Sequence, residues 1–271
     1  MVLEKQIMIY FLIILLVVLF LIYRYSRNRF LLKLKETQIN LIKKYPIGIN
    51  YDSIPSEKIE EFSKNKIISL DNFVNKQTLY AMESEAIHSM PLMVESYLPT
   101  HKKGSTLSYE LIQNYAPNCL AFYCSDKMIS LISQITGEKL YQTPPSDQSS
   151  LSILCYKNKG DHINWHYDHN FYKGRHFTIL LSLMNESEKG LSQSKLLAVL
   201  NEKEVEIETP SNTLVVFEGK EVLHKATPLG DNEIRIMLSM TLCANPKINP
   251  LFEVMRRIKD TAFFGIKALW R

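Results

Sequence analysis

Residues 151–184 read LSILCYKNKGDHINWHYDHNFYKGRHFTILLSLM, and the fold turns on them. The apolar and β-branched residues fall in short runs, 151–156, 163–167 and 177–184, separated by Lys-, Asn- and Gly-containing turns. Runs of that length, bounded by turn residues, predict strands rather than helices. The pattern continues downstream over 195–199, 204–208, 213–217, 222–226 and 234–243. About eight short strands with no helix between them predict an all-β sandwich or barrel. The chain before them reads differently. Ile67–Leu70 is a short strand ended by Asp71-Asn72. Asn75 can cap a helix from Lys76 to His88. A second helix is predicted from Ser125, a cap residue, to Gly137, with Met128, Ile129, Leu131, Ile132 and Ile135 mostly on one face. These helices would brace the strands.

Four of the seven histidines lie within 162–176. In a strand, alternate side chains share a face, so His166 and Asp168 point together while Trp165 and Tyr167 point away. Taken alone, such a pair is more often an ordinary surface feature. A third ligand is available in His224, which follows the strand and turn LVVFEG at 214–219. Two histidines and one carboxylate on one face of an octahedron leave three positions open, the arrangement of non-haem Fe(II) oxygenases. Zn(II) on the same ligands, as a hydrolytic or structural site, is the competing reading; no H-E-x-x-H motif supports it. His162 is an alternative ligand with a supporting or surface role favoured, and His169 and His176 read as solvated or substrate-side. Arg235 is the second residue of the run IRIMLSMTL, where a guanidinium can hold a carboxylate bidentately.

Tyr156, His166-x-Asp168, Arg175, His224 and Arg235 together resemble the signature of the Fe(II)- and 2-oxoglutarate-dependent dioxygenases, in particular the prolyl 4-hydroxylase-like branch of the alpha-subunit catalytic-domain type. ISLDNFV at 68–74 and LISQITG at 131–137 resemble further parts of that family, so the similarity covers roughly 66–245. The resemblance implies a mainly β fold, a double-stranded β-helix (jelly roll) braced by N-terminal α-helices. It implies Fe(II) on His166, Asp168 and His224, which would be the catalytic set. It places the distal carboxylate of 2-oxoglutarate on Arg235, assisted by Ser239, with Tyr156 and Thr178 facing the co-substrate and Ser182 nearby. O2 would be the oxidant and ascorbate an auxiliary reductant. The implied activity is hydroxylation of a peptidyl, prolyl-type substrate with release of succinate and CO2. Halogenating relatives carry a small residue where Asp168 stands, which argues for hydroxylation. The alternative is a catalytically silent β-helix serving as a membrane-tethered binding module.

The rest of the chain says where such a domain would sit. Ile7–Tyr23 is an uncharged run, IMIYFLIILLVVLFLIY, long enough to cross a bilayer core. No small-residue cleavage site follows it, so it reads as a single-pass anchor over 1–23 rather than a signal peptide. Residues 24–44 carry a net +6 and 252–271 a net +3, around a middle of −5, so the overall +4 does not describe a nucleic-acid binder. Residues 24–65 read as a basic tether with some helix. The basic flank places the body in the cytosol by the positive-inside rule, with the ER lumen as the alternative, where Asn185-Glu186-Ser187 would be a glycosylation acceptor. The tail 246–271 reads as a basic amphipathic helix bearing Leu251, Met255, Ile258, Ala262, Ile266 and Leu269, with Phe263, Phe264 and Trp270. It either packs on its own domain or lies on the membrane. The four cysteines, none spaced C-x-x-C, read as buried apolar residues.

Overall fold

The strands pair as one long hairpin folded back on itself. The computed structural model describes residues 2–265. Its first four strands are β1 (Ile67–Leu70), β2 (Val94–Leu98), β3 (Lys102–Leu107) and β4 (Tyr141–Gln142). The next four are β5 (Leu151–Tyr156), β6 (His162–His166), β7 (His176–Glu186) and β8 (Leu196–Leu200). The last four are β9 (Lys203–Ile207), β10 (Leu214–Phe217), β11 (His224–Ala226) and β12 (Ile234–Cys243). Pairing is nested about the tight β8–β9 hairpin: β7 lies on β10, β6 on β11 and β5 on β12, all antiparallel. Cross-pairs β7–β12 and β8–β11 then divide these eight strands into two four-stranded sheets. β3 joins them by pairing with β5 at one end and β6 at the other. The result is a nearly closed, jelly-roll-like barrel.

Strand alternation makes two faces of the larger sheet. Ile236, Leu238, Met240 and Leu242 of β12, with Phe177, Ile179 and Leu181 of β7, are buried on the outer face. They meet α2 (Ser56–Asn65), α3 (Lys76–His88), α5 (Pro117–Tyr123) and α6 (Asp126–Thr136) through Phe62, Met82, Phe122 and Ile132. A fully buried side chain of this size contributes about 1.5–3 kcal/mol, so this layer carries most of the hydrophobic stabilisation. The predicted helix ends hold. Asn75 Oδ1 accepts from Thr78 N at 2.8 Å, Ser125 Oγ from Met128 N at 3.4 Å, and Gly137 closes α6 with φ 69°. A short helix α4 (Tyr109–Tyr115) also packs here, and all four cysteines are buried and free.

The chain divides into two units, 1–40 and the remainder from Leu41. α1 (Val2–Lys44) runs through the apolar stretch, and the whole of Ile7–Tyr23 is exposed. It is long and apolar enough to cross a membrane, by length and composition. The segment read as a tether with some helix, 24–65, is more ordered than that reading. It is helical to Lys44, and Ile49, Ile54 and Phe62 are buried in the core of the second unit, so the packed body starts well before residue 66.

The tail forms α7 (Pro250–Phe264), capped by Asn249; the expected continuation through Ile266, Lys267, Leu269, Trp270 and Arg271 lies outside the described residues. α7 packs on its own domain, against β2 and β3, but with the opposite face to the one its apolar residues predict. Arg256 and Asp260 are buried while Leu251, Phe252, Met255 and Ile258 are exposed. The reason is a polar anchor. Arg256 donates to Asp260 Oδ2 at 2.7 Å, to the Ser146 carbonyl at 3.1 Å and to Glu253 at 3.0 and 3.1 Å. Asn185, the predicted glycan acceptor, is buried with its amide donating to the Thr209 carbonyl at 3.0 Å, so the folded domain does not present it.

Candidate metal and co-substrate site

The inner face of the barrel carries the polar residues. Arg235, Met237, Ser239 and Thr241 alternate inward along β12, as do Thr178 and Leu180 on β7 and Ser152, Leu154 and Tyr156 on β5. They line a cavity of about 320 Å3 that also receives His166, Asp168 and His224.

His166 ends β6 and His224 begins β11, and the two stand opposite each other in the ladder. Asp168 lies just past β6, its amide donating to the Gly219 carbonyl at 2.9 Å. Asp168 Oδ1 is 3.6 Å from His166 Nε2 and 3.9 Å from His224 Nε2, and one ligand atom from each of the three lies within 4.8 Å of the others. Each ring is oriented by its other nitrogen. His166 Nδ1 contacts the Asn164 carbonyl at 2.8 Å and His224 Nδ1 the Val222 carbonyl at 3.0 Å, which fixes Nδ1 as the protonated atom and aims both Nε2 lone pairs at Asp168. Burial, reinforced by His224, pushes His166 down to about 4, so its imidazole is neutral near pH 7. Burial would raise Asp168, but His224, His166 and a hydrogen bond from Thr178 outweigh it and hold the carboxyl below its usual range. That donor is Thr178 Oγ1, 2.5 Å from Asp168 Oδ2; it leaves Oδ1 facing the imidazoles. Two imidazole nitrogens and a carboxylate oxygen converging on one point suit a divalent cation.

Arg235 is buried at 1% exposure, and no carboxylate of the described residues pairs with it. Its guanidinium has only long contacts, 3.5 Å to Ser194 Oγ and 3.4 Å to Thr209 Oγ1, and its Nε has no partner. The Tyr156 ring lies 6.0 Å away across the β5–β12 register. A buried cation left without an anion is costly, and a ligand carboxylate would complete it. The donor set and the orphaned guanidinium therefore fit Fe(II) and 2-oxoglutarate.

Seven of the sequence-predicted site residues, His166, Asp168, His224, Arg235, Tyr156, Ser239 and Thr178, line this one cavity. Thr178 reaches Asp168 rather than open space. Ser182 points to the Thr209 carbonyl at 3.0 Å and does not line the cavity. Arg175 is outside it, paired bidentately with Glu218 at 2.7 and 3.0 Å. His162 bonds the Gly160 carbonyl at 2.8 Å and is apart from the three-ligand cluster. His176, read as solvated or substrate-side, is buried and lines the cavity. Several neighbours had no signal in the strand pattern. Gly219 packs on the ligand itself, since a Cβ there would meet Asp168 Cβ at 2.6 Å. Lys102, Lys259, Tyr172 and Phe263 also line the cavity.

The family model described as Halogenase D matches residues 52–174, a stretch that includes His166 and Asp168 and ends before His224 and Arg235. No curated protein matches the sequence. Among solved structures, a Pseudomonas putida prolyl-4-hydroxylase is similar with TM-score 0.53 and 16% identity, over 70% of this chain and 98% of that one. A Trichoplax adhaerens prolyl hydroxylase, in complex with a hypoxia inducible factor oxygen degradation domain peptide fragment, gives TM-score 0.55 and 16% identity over 79% and 92%. The fold is that of the 2-oxoglutarate/Fe(II) oxygenases, prolyl-hydroxylase-like in form. The epimerase SnoN, in complex with Fe3+, alpha ketoglutarate and nogalamycin RO, shares this oxygenase fold at TM-score 0.58 and 10% identity, over 69% of this chain and 82% of that one.

Proposed function

We propose that this protein is a 2-oxoglutarate- and Fe(II)-dependent dioxygenase that hydroxylates its substrate, held at a membrane by α1. The observation that carries the reading is the conjunction, in one cavity, of the His166–Asp168–His224 donor set and the unpaired cation Arg235. Bound there, Fe(II) would supply O2 activation coupled to oxidative decarboxylation of 2-oxoglutarate to succinate and CO2. The chain's own residues do the rest. The Asn164 and Val222 carbonyls hold His166 and His224 in the ligating tautomer. Thr178 holds Asp168 in place, and Arg235 receives the distal carboxylate of 2-oxoglutarate, with Ser239 and Tyr156 on the same inward face. Leu154, Leu180, Phe217 and Met237 keep the site dry. The Asp168 carboxylate occupies the ligand position that a halogenating enzyme would leave open, which supports hydroxylation despite the Halogenase D match.

Full-length protein with Fe(II) should form succinate from 2-oxoglutarate, and His166→Ala or Asp168→Ala should abolish it with circular dichroism unchanged. Undiminished turnover in either variant sinks the metal assignment. Absence of both Fe(II) binding and turnover in the wild type returns the protein to the silent-module reading.

The membrane part rests on the 7–23 run and its basic C-terminal flank, which support a cytosolic body. The exposed Leu251, Phe252, Met255 and Ile258 on α7 support a second contact with the same lipid surface. Protease protection in microsomes decides orientation: a shielded body refutes the cytosolic placement. A peptidyl substrate of prolyl type is the family expectation; the lining of the cavity favours a different chemistry, argued next.

A further inference from the structure

Two buried cations line the cavity. Arg235 stands in the β5–β12 wall, and Lys102, on β3 where it pairs with β6, is only 3% exposed. Its ammonium has one hydrogen bond, to Thr106 Oγ1 at 3.0 Å, and sits 4.7 Å from the Phe263 ring centre. No carboxylate of the described residues pairs with it. Those nearby are engaged elsewhere: Asp147 accepts from the Tyr172 hydroxyl at 2.6 Å, and Asp260 is held by Arg256 and Ser149 at 2.7 Å each. The adjacent Lys103, by contrast, is half-exposed and faces Asp161 at 3.6 Å. Lys259 of α7 also lines the cavity, 3.5 Å from Asp260, and adds positive potential beside Lys102. A hydroxyl and a ring face offset part of the cost of burying an ammonium, but a full negative charge is missing. Leu98, Ile163 and Ala226 add apolar lining to the cavity, and His101 stands beside His166 with ring centres 5.8 Å apart.

We propose that Lys102, assisted by Lys259, receives the carboxylate or phosphate of a small-molecule substrate, whose apolar body extends along Leu98 and Ile163 toward His166. This assigns a substrate class, an amphiphilic organic anion, to the cavity of the proposed dioxygenase. It rests on that reading for what becomes of the substrate and not for the binding of the anion.

Thermal melting of the full-length protein in non-ionic detergent tests it with butyrate, butyl phosphate and 1-butanol as probes. Two backgrounds isolate the site: wild type saturated with Mn(II) and 2-oxoglutarate, and Arg235→Met without either. In both, butyrate or butyl phosphate should stabilise at a concentration at least tenfold lower than 1-butanol. Lys102→Met and Lys102→Gln should erase that preference, and Lys102→Arg should keep it. Whichever anion acts at the lower concentration names the group. No preference for either anion over the alcohol overturns the proposal, as does a preference that survives in both Lys102→Met and Lys102→Gln. If 2-oxoglutarate fails to stabilise wild type while the Lys102-dependent preference persists, the dioxygenase reading falls and this one stands.

Discussion

Thr178 Oγ1 on β7 donates to Asp168 Oδ2 at 2.5 Å, so a hydroxyl from one sheet orients the carboxylate that leaves the other. The contact leaves a single Asp168 oxygen facing the two imidazoles. Outer partners of metal ligands typically control affinity by about 10–100-fold. Thr178→Val, which keeps the shape and removes the donor, should weaken Fe(II) or Mn(II) binding by roughly that factor. Thr178→Ser should recover most of it. Isothermal titration with Mn(II) measures both; equal affinity in wild type and Thr178→Val would show that the hydroxyl does not position the ligand.

Gly219 presses on the same carboxylate from the other side. A Cβ at this position would stand 2.6 Å from Asp168 Cβ and 2.8 Å from its Oδ2, closer than atoms pack. Gly219→Ala should push Asp168 away from His166 and His224 at a stability cost of about 1–3 kcal/mol. Succinate formation should fall by more than tenfold while the far-ultraviolet spectrum stays native. Full activity in Gly219→Ala would mean that the loop after β10 yields instead.

Arg235 gives a prediction with opposite signs in two states. Buried without a carboxylate, its charge is a burden on the ligand-free protein, so Arg235→Met should melt no lower than wild type. With 2-oxoglutarate and Mn(II), the order should invert. At 100 times its dissociation constant a ligand stabilises by about 2.7 kcal/mol, and the variant should lose that gain. A variant that melts lower without ligand, yet is still stabilised by 2-oxoglutarate, would make Arg235 a structural residue.

On β6 strand alternation made His166 legible. Asp168 stands past the end of that strand, and Tyr167, expected to point away, lines the cavity, so the alternation stops at His166. Tyr156, Arg235 and Ser239 were legible through the family resemblance, and the β5–β12 register sets Tyr156 opposite Arg235. α3 and α6 were legible because their caps are local. What escaped was set by tertiary contact. The β2–β3 hairpin is rich in Lys, Ser and Thr and lacks an apolar alternation, so nothing in its sequence shows Lys102 entering the barrel. The seating of α7 was also set by tertiary contact. Its apolar stripe fits either a buried face or a membrane surface, and Arg256, finding Asp260, Glu253 and the Ser146 carbonyl together, turns the stripe outward. Gly219 was visible as a turn residue; its role needed the position of Asp168, which only the folded barrel supplies.

Lys102 should leave its mark on the pH dependence of stability. Burial, with a smaller contribution from Lys259, pushes its ammonium down to about 8 in the folded protein, against the ordinary 10.5 of an unfolded lysine. Between these values the unfolded chain binds more protons than the folded one, so the Lys102 contribution to stability rises with pH across that window and is flat below it. The full swing is bounded by roughly 3 kcal/mol, because each tenfold change in proton affinity is worth about 1.36 kcal/mol. Other groups titrate in the same range, so the quantity to measure is the difference between wild type and Lys102→Met in urea unfolding from pH 7.5 to about 10.5. Wild type should gain stability on the variant as pH rises. An anion bound at the ammonium should flatten the gain, because it holds the charged form in the folded state. A difference that is constant with pH, or that falls, would show that the Lys102 ammonium is not desolvated and would remove that buried cation from the cavity.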